Sequence, residues 1–292
     1  MSTPPSISII IPAYNEENCI RQCLVAAIFQ TVPAHEIVVV DNKSTDSTAE
    51  IVRQVQLEYP DANIILTSHE ADQGLIPTRD HGFNIATGDV YGRIDADCVL
   101  ESDWVERVSE TFQDPEVMAA TGPVVYSDMP LRRFGLKADD KIRQFVLKLA
   151  RGQYHFLFGS NMALRSSAWE SIKDQVCRDE EDLMHEDIDI SVHLAEHNLL
   201  IRYVPTMITG MSARRVEDSP KDYWYYVNRF DRTYTAHDIE HRVLRVPMVL
   251  FMSVYAPAKM LRTLHHQRTR YLTRRQARNV RVKSELRATR LL

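Results

Sequence analysis

Along the first hundred residues, unbroken apolar runs alternate with stretches whose apolar positions recur every three or four residues. Ile7 to Ile11 is a continuous β-branched run stopped by Pro12. That is the pattern of a strand buried on both faces of a parallel sheet. From Glu16 to Gln30, Ile20, Cys23, Leu24, Ala27 and Ile28 keep helical spacing. Glu36 to Val40 is a second buried strand, ending at Asp41. Ser44, Thr45 and Asp46 then offer N-caps for a helix over Thr48 to Tyr59. A strand over Asn63 to Thr67 and a helix over Leu75 to Ala86 follow, with Pro77 in the helix's first turn. Asp89 to Ile94 is a fourth strand that runs into Asp95-Ala96-Asp97, and Ser102 to Phe112 is helical.

Strands that alternate with helices over short connections predict an α/β fold, with a parallel sheet, helices on both faces and right-handed crossovers. Ligands of such sheets bind outside the carboxyl ends of the strands. Tyr14, Asn15, Glu16, Asp41, Asn42, Asp95 and Asp97 therefore gather at one sheet edge. After Pro115 the pattern changes to a strand over Val117 to Val125 and a long amphipathic helix over Leu131 to Arg151. Next come a strand over Phe156 to Leu164, a helix over Asp187 to Glu196 and a strand over Leu200 to Val204. An aromatic-rich helix over Tyr223 to Thr235 ends the series, with Tyr223, Tyr226 and Phe230 on one face. The mixture predicts that the second half completes the first sheet.

Composition is ordinary for a globular chain of 292 residues, 44% apolar and 26% charged, which excludes wholesale disorder and fibrous repeats. Charge placement is less ordinary. The segment from Arg262 to Leu292 carries ten basic residues and one acid, +9 in all, so a net charge of -5 leaves -14 on the rest. A basic tail on an acidic body is drawn to anionic lipid head groups. The uncharged stretch Val246 to Ala258, interrupted by Pro247 and Pro257, is too short to span a bilayer and fits interfacial attachment. Nucleic acid is not expected, because no stacking pattern accompanies the charge. Four cysteines without metal-type spacing read as reduced thiols of a cytosolic protein, and no secretory signal is evident.

Asp95 and Asp97, one residue apart after a buried strand, can share a hard divalent cation, Mg²⁺ or Mn²⁺, able to clamp a diphosphate. A second such triplet is Asp187-Ile188-Asp189. Asp41 can accept hydrogen bonds from a nucleobase or ribose, or cap the next helix. Neither G-x-G-x-x-G nor a P-loop occurs, which disfavours dinucleotide and P-loop chemistry. Arg214 and Arg215 suit phosphate.

Five ordered segments carry a resemblance: SISIIIPAYNEE (6–17), EIVVVDNKSTDST (36–48), DQGLIPTRDHGFNIATGD (72–89) with RIDADC (93–98), GSNMALRSSAW (159–169) and HEDIDIS (185–191). Together they resemble family 2 inverting glycosyltransferases of the GT-A fold, over about residues 6 to 215. The resemblance implies a GT-A catalytic domain over 1–215, with a nucleotide-sugar half (1–98) and an acceptor half (99–215). It implies, over 216–292, a helical extension with a basic tail, expected to associate with membrane. It implies that Pro12, Ala13, Tyr14 and Glu16 line the nucleoside pocket and that Asp41 holds the base. Arg79 would lie near base or phosphates. Asp95 and Ala96 would approach ribose and phosphate, Asp97 with Asp95 would ligate the metal, and Asp187 would be the catalytic base. His185 and Glu186 would position acceptor or metal. Two departures stand out: Asn42 and Lys43 replace a second acid after Asp41, and Pro77 to His81 differs from the usual small-Arg-Asn pattern.

The implied activity is metal-dependent, inverting transfer of a sugar from a UDP- or GDP-linked donor to a hydroxyl or phosphate of a lipid-linked or cell-envelope acceptor. The implied setting is the cytoplasm, peripheral to the inner face of the cell membrane. The alternatives are a catalytically silent GT-A-like scaffold that binds membrane or RNA through its tail, and a sugar nucleotidyltransferase.

Overall fold

The first strand, β1 (Ile7–Ala13), is buried along its whole length because both of its faces meet hydrophobic layers. Ile7, Ile9, Ile11 and Ala13 point into one core and Ile10 into another. In β2 (Glu36–Asp41), Ile37 and Val39 join the first core while Val38 and Val40 join the second. This period-two division explains why the strands read as continuous apolar runs. Helices α1 (Ile20–Ile28), α2 (Thr48–Glu58) and α4 (Trp104–Thr111) cover the first face. Helices α3 (Leu75–Ile85), α6 (Ser166–Ile172) and α7 (Glu186–Glu196) cover the second. A Cβ on Gly82 would fall 2.5 Å from Ile10 Cγ2, so glycine lets α3 lie close on β1.

In this computed structural model, residues 3–69, 73–149, 156–179, 181, 183–239 and 245–289 are described. Asp72, Arg151 and Arg290 lie outside them. The main sheet has seven strands in the order β3 (Ile64–Ser68), β2, β1, β4 (Val90–Arg93), β8 (Met162–Arg165), β6 (Val117–Thr121) and β9 (Leu200–Tyr203). The pairs β3–β2, β2–β1, β1–β4 and β6–β9 are parallel, whereas β8 runs antiparallel to both β4 and β6. A small sheet joins β5 (Val99–Leu100), β10 (Thr209–Met211) and β7 (Val124–Tyr126). The fold is α/β, with a mostly parallel sheet flanked by helices.

Three expectations need correction. The strand expected over Val117 to Val125 is two, because Gly122 and Pro123 turn the chain from the main sheet into the small one. Proline removes a ladder donor, which ends β6. The strand expected from Phe156 begins only at Met162. The helix expected over Tyr223 to Thr235 is broken at Asn228 into α8 (Pro220–Val227) and α9 (Arg229–Ala236). Tyr223, Tyr226 and Phe230 nonetheless share one cluster with Met248, Phe251 and Tyr255. The aromatic stripe is thus the seat of the last helix, α10 (Arg245–Thr289).

Hydrogen bonds also hold α10. The Tyr255 hydroxyl donates to the Asp218 carbonyl at 2.6 Å, and Lys259 Nζ donates to the carbonyls of Glu217 and Asp218. Arg262 pairs with Glu217 and, at 2.7 Å, with Asp128. Asp128 in turn accepts from Ser212 Oγ and from the Ala213 N–H. Preceding α8, the short 3₁₀ helix Arg214–Glu217 is therefore gripped from behind. Among the described residues no helix is long and apolar enough to cross a membrane.

Candidate functional site

Strand order reverses beside β1. The chain steps outward from β1 to β2 and β3, then returns to lay β4 on the other side of β1. Such a switch point opens a crevice at the carboxyl ends of the strands. Ala13 pairs with Asp41 and Ile10 with Arg93, so the loops after β1, β2 and β4 share that edge.

The loops after β1 and β2 are laced together. Asn15 holds a left-handed φ of 54°; Asn tolerates this backbone better than most residues. Its side-chain carbonyl accepts the Thr45 N–H at 2.8 Å, and its own N–H donates to Ser44 Oγ. The Glu16 N–H donates to Thr48 Oγ1 at 2.8 Å. Asp41 accepts the Ser44 N–H at 3.2 Å. Pro12 and Ala13 are buried beneath this rim, and Tyr14 is 45% exposed upon it. Asn42, which replaces the second acid, is buried. Its Oδ1 accepts the Gly74 N–H and its carbonyl accepts the Gln73 side-chain amide, so it fastens the approach to α3.

Asp95 to Cys98 form a tight turn, closed by the Cys98 N–H donating to the Asp95 carbonyl at 2.9 Å. Ala96 is buried within it. Asp97 pairs with Arg214, whose Nε lies 3.0 Å from Oδ2, and the same guanidinium donates to both carboxylate oxygens of Glu16. Burial, with Asp95 beside it, pushes the Asp97 carboxyl up to about 6, while Arg214 pulls it down. One oxygen from each of Asp95 and Asp97 lies within 4.8 Å of the other and of Cys98 Sγ. The two hard oxygens fit Mg²⁺ or Mn²⁺. The Cys98 thiol is taken up by the Ser160 carbonyl.

Glu186 and Asp187 open α7. Asp187 accepts the Gly159 N–H at 2.7 Å on Oδ2 and the Ile188 N–H at 2.9 Å on Oδ1. Burial, and then the adjacent Glu186 charge, push Asp187 up to about 7. Burial opposes the Glu186 charge too, but Arg93 and Arg79 outweigh it and hold that carboxyl below its usual range. Two neighbouring acids are thus driven apart, one fixed as an anion and one able to exchange a proton near neutrality. This is the condition for a general base.

Arg93 joins these acids to the turn after β4. Buried at the end of β4, it lies 2.9 Å from Asp95 Oδ1 and 3.2 Å from Glu186 Oε1. A Cβ on Gly159 would fall 1.7 Å from Arg93 Nη1, so a side chain there would have to displace the guanidinium. Sequence reasoning quoted Arg93 within RIDADC without giving it a role. The available signal was a charged residue closing an otherwise buried strand, two residues before Asp95.

Two residues sit elsewhere than expected. Arg79 is 1% exposed, donates to Asp80 at 2.6 Å and to the Glu186 carbonyl at 3.3 Å, and lies over Trp169. It supports the start of α7 from the interior, not the rim of a donor pocket. His185 is buried edge-on against Tyr226 and Phe230, and burial drops it to about 4. Its ring is a neutral packing element. Of the arginine pair, Arg214 reaches the acids while Arg215 lies 4.6 Å from the Tyr226 ring centre.

The description "Glycosyl transferase family 2" matches residues 8–172, and "Glycosyl transferase family group 2" matches 93–274. Glycosyltransferase AglE of Haloferax volcanii is 36% identical over 128 residues, 43% of this chain and 41% of that protein. Chondroitin synthase of Pasteurella multocida is 31% identical over 115 residues, 39% of this chain and 12% of its own. The matched stretch thus spans about two-fifths or less of these relatives. Among solved structures, a mannosyltransferase from Pyrobaculum calidifontis, in complex with GDP-Man and Mn²⁺, superposes with a TM-score of 0.64 at 19% identity, covering 90% of this chain and 73% of its own. TarS of S. aureus gives 0.52 at 18% identity, covering 76% and 38%.

Proposed function

Since the chain belongs to glycosyl transferase family 2, we propose that it transfers a sugar, with inversion, from a nucleoside-diphosphate donor to an acceptor hydroxyl or phosphate. The observation that carries this reading is the Arg93 bridge, which ties the Asp95 turn to the Glu186-Asp187 pair. Leaving-group acids and proton acceptor thereby belong to one constellation.

Pro12, Ala13, Tyr14, Glu16 and Asp41 receive the nucleoside, with Asp41 accepting from base or ribose. Ala96 and Asp95 lie beside ribose and phosphate, and Arg214, already paired with the acids of the cleft, is assigned to the diphosphate. A divalent cation bound to Asp95 and Asp97 would neutralise charge on the departing diphosphate. Asp187 takes the proton of the acceptor hydroxyl as its oxygen bonds to the anomeric carbon. The bond from that carbon to the donor's phosphate oxygen breaks, and its electron pair leaves with the diphosphate. Glu186, held ionised by Arg93, keeps Asp187 basic.

The acceptor class is read from α10. Val249, Val254, Met260 and Leu264 expose apolar surface on it, ahead of the basic tail. That surface supports a lipid-linked or cell-envelope acceptor, met by a protein peripheral to the inner face of the membrane. The neighbour solved with GDP-Man and Mn²⁺ puts GDP-linked donors beside UDP-linked ones in the test.

That test is turnover of UDP- and GDP-sugars with Mn²⁺, Mg²⁺ or chelator. One donor is expected to be consumed with metal, and Asp187→Asn to lose about 10²–10⁴-fold in rate. Unchanged turnover in a folded Asp187→Asn protein removes the assigned base. Failure of every donor in the presence of acceptor lipid extracts favours a silent scaffold.

A further inference from the structure

The second acidic triplet serves a different place. Asp189 does not join the Arg93 bridge; its oxygens meet the loop after α6 and the end of α9. Oδ2 accepts the Cys177 N–H at 3.0 Å, and Oδ1 lies 2.8 Å from His237 Nε2. One donor atom each from Cys177, Asp189 and His237 lies within 4.8 Å of the others.

His193 stands beside these three, outside that 4.8 Å set, and is placed to turn in as a fourth. One helical turn after Asp189, its Nε2 lies 3.6 Å from Asp189 Oδ1, and its ring centre is 5.1 Å from that of His237. Its Nδ1 meets Glu196 Oε2 at 3.0 Å. Glu196 faces Nδ1 and Asp189 faces Nε2, and the two carboxylates together favour a proton on each nitrogen, the one on Nε2 being the proton a metal would displace. Nε2 is sealed from solvent and has no hydrogen-bond partner among the described residues, in a histidine 8% exposed. A histidine whose far nitrogen is held by a carboxylate, with its near nitrogen free, is the arrangement that orients imidazole toward zinc.

We propose that Cys177, Asp189, His193 and His237 form a structural zinc site, separate from the donor cleft, which clamps the loop after α6 and the end of α9 onto α7. The ligand types are those of tetrahedral zinc. One thiolate and one carboxylate cancel the charge of the ion, which suits a buried place. Ligand pairs around tetrahedral zinc lie roughly 3.3–3.7 Å apart, so on binding Asp189 and His237, now 2.8 Å apart, separate slightly while the wider pairs draw in. Binding releases the Cys177 thiol proton and the His193 Nε2 proton, and moves the His237 proton to Nδ1, leaving both Nε2 atoms to the metal. The consequence for the site is positional. The helix that carries two of the ligands begins with Glu186 and Asp187, so the clamp fixes the acids at its start.

The inference stands whether or not the chain transfers sugar, and its test needs no turnover. Full-length protein stripped by chelator is dialysed against Zn²⁺ or Co²⁺ in excess Mg²⁺, which occupies oxygen-only sites. Wild type is expected to retain about one zinc per chain and gain thermal stability. The cobalt form is expected to show a thiolate-to-cobalt charge-transfer band with the intense visible bands of four-coordination. Cys177→Ser should lose the charge-transfer band and Cys98→Ser should keep it, which separates this site from the other buried thiol beside acids. His237→Gln should lose the zinc-dependent stabilisation. Wild-type protein that retains no zinc under these conditions, or a cobalt band that survives Cys177→Ser, overturns the proposal. The direct zinc measurement on wild type decides the matter even if a variant fails to fold.

Discussion

The two halves of the sheet are built by different rules. From β1 to β4 each strand lies next to an earlier one through a short helical connection, and all pairs are parallel. From β6 onward neighbours in the sheet are far apart in the chain. β8 enters antiparallel between β4 and β6, and Gly122-Pro123 diverts the chain into a second sheet. The first half makes a cleft from successive loops. The second half brings a helix start to that cleft, and Arg93 holds the two together. In the proposed reading, the binding elements come from local repetition and the proton acceptor from long-range assembly.

Removing the joint tests this contrast most severely. Arg93→Met leaves Asp95 without its partner and Glu186 with Arg79 alone, and is expected to cost about 3 kcal/mol in urea unfolding. A loss below about 1 kcal/mol would mean the halves cohere without it. Gly159→Ala attacks the same joint from the second half. Its methyl must displace Arg93, with an expected loss of about 1–3 kcal/mol and a fall in kcat larger than the change in donor KM. A change confined to KM would place Gly159 in donor binding instead. The pH profile then sharpens the assignment of the base. As the proposed base, Asp187 would act only when unprotonated, and burial beside Glu186 pushes its carboxyl up to about 7. So kcat/KM should rise about tenfold per pH unit below that value and level off above it; a flat profile from pH 5 to about 8 would point to another base. The smallest effect belongs to the first half alone. Arg214→Gln is expected to raise donor KM about tenfold, the worth of one charge-assisted phosphate contact. Stability should hardly move, because half of that side chain is exposed.

The legibility of each half follows from the same contrast. β1 and β2 lie within two residues of expectation because burial on both faces writes itself into the chain as unbroken Ile and Val; β3 and β4, shorter and more mixed, follow from the alternation of strand and helix around them. Asp95 and Asp97 were legible as a strand end. The break at Asn228 was not, because the aromatic period runs through it unaltered and only the docking of α10 shows why one face is needed. Arg79 was set near base or phosphates by the resemblance alone, and no pattern around it in the sequence signals its burial. Asp80, Trp169 and the Glu186 carbonyl, which make its burial tolerable, come from places no local pattern connects. His237 and Cys177 carry no spacing signal for the same reason.

The anchoring of α10 has a mechanical consequence. Arg262, Lys259 and Tyr255 are moored to Asp128, Glu217 and Asp218, and Arg214 stands at the other end of that short 3₁₀ segment. A helix of 45 residues is a rod about 68 Å long, so a modest sideways push far along it becomes torque at the mooring. Whatever surface the rod rests against thereby gains leverage over the guanidinium that spans Glu16 and Asp97.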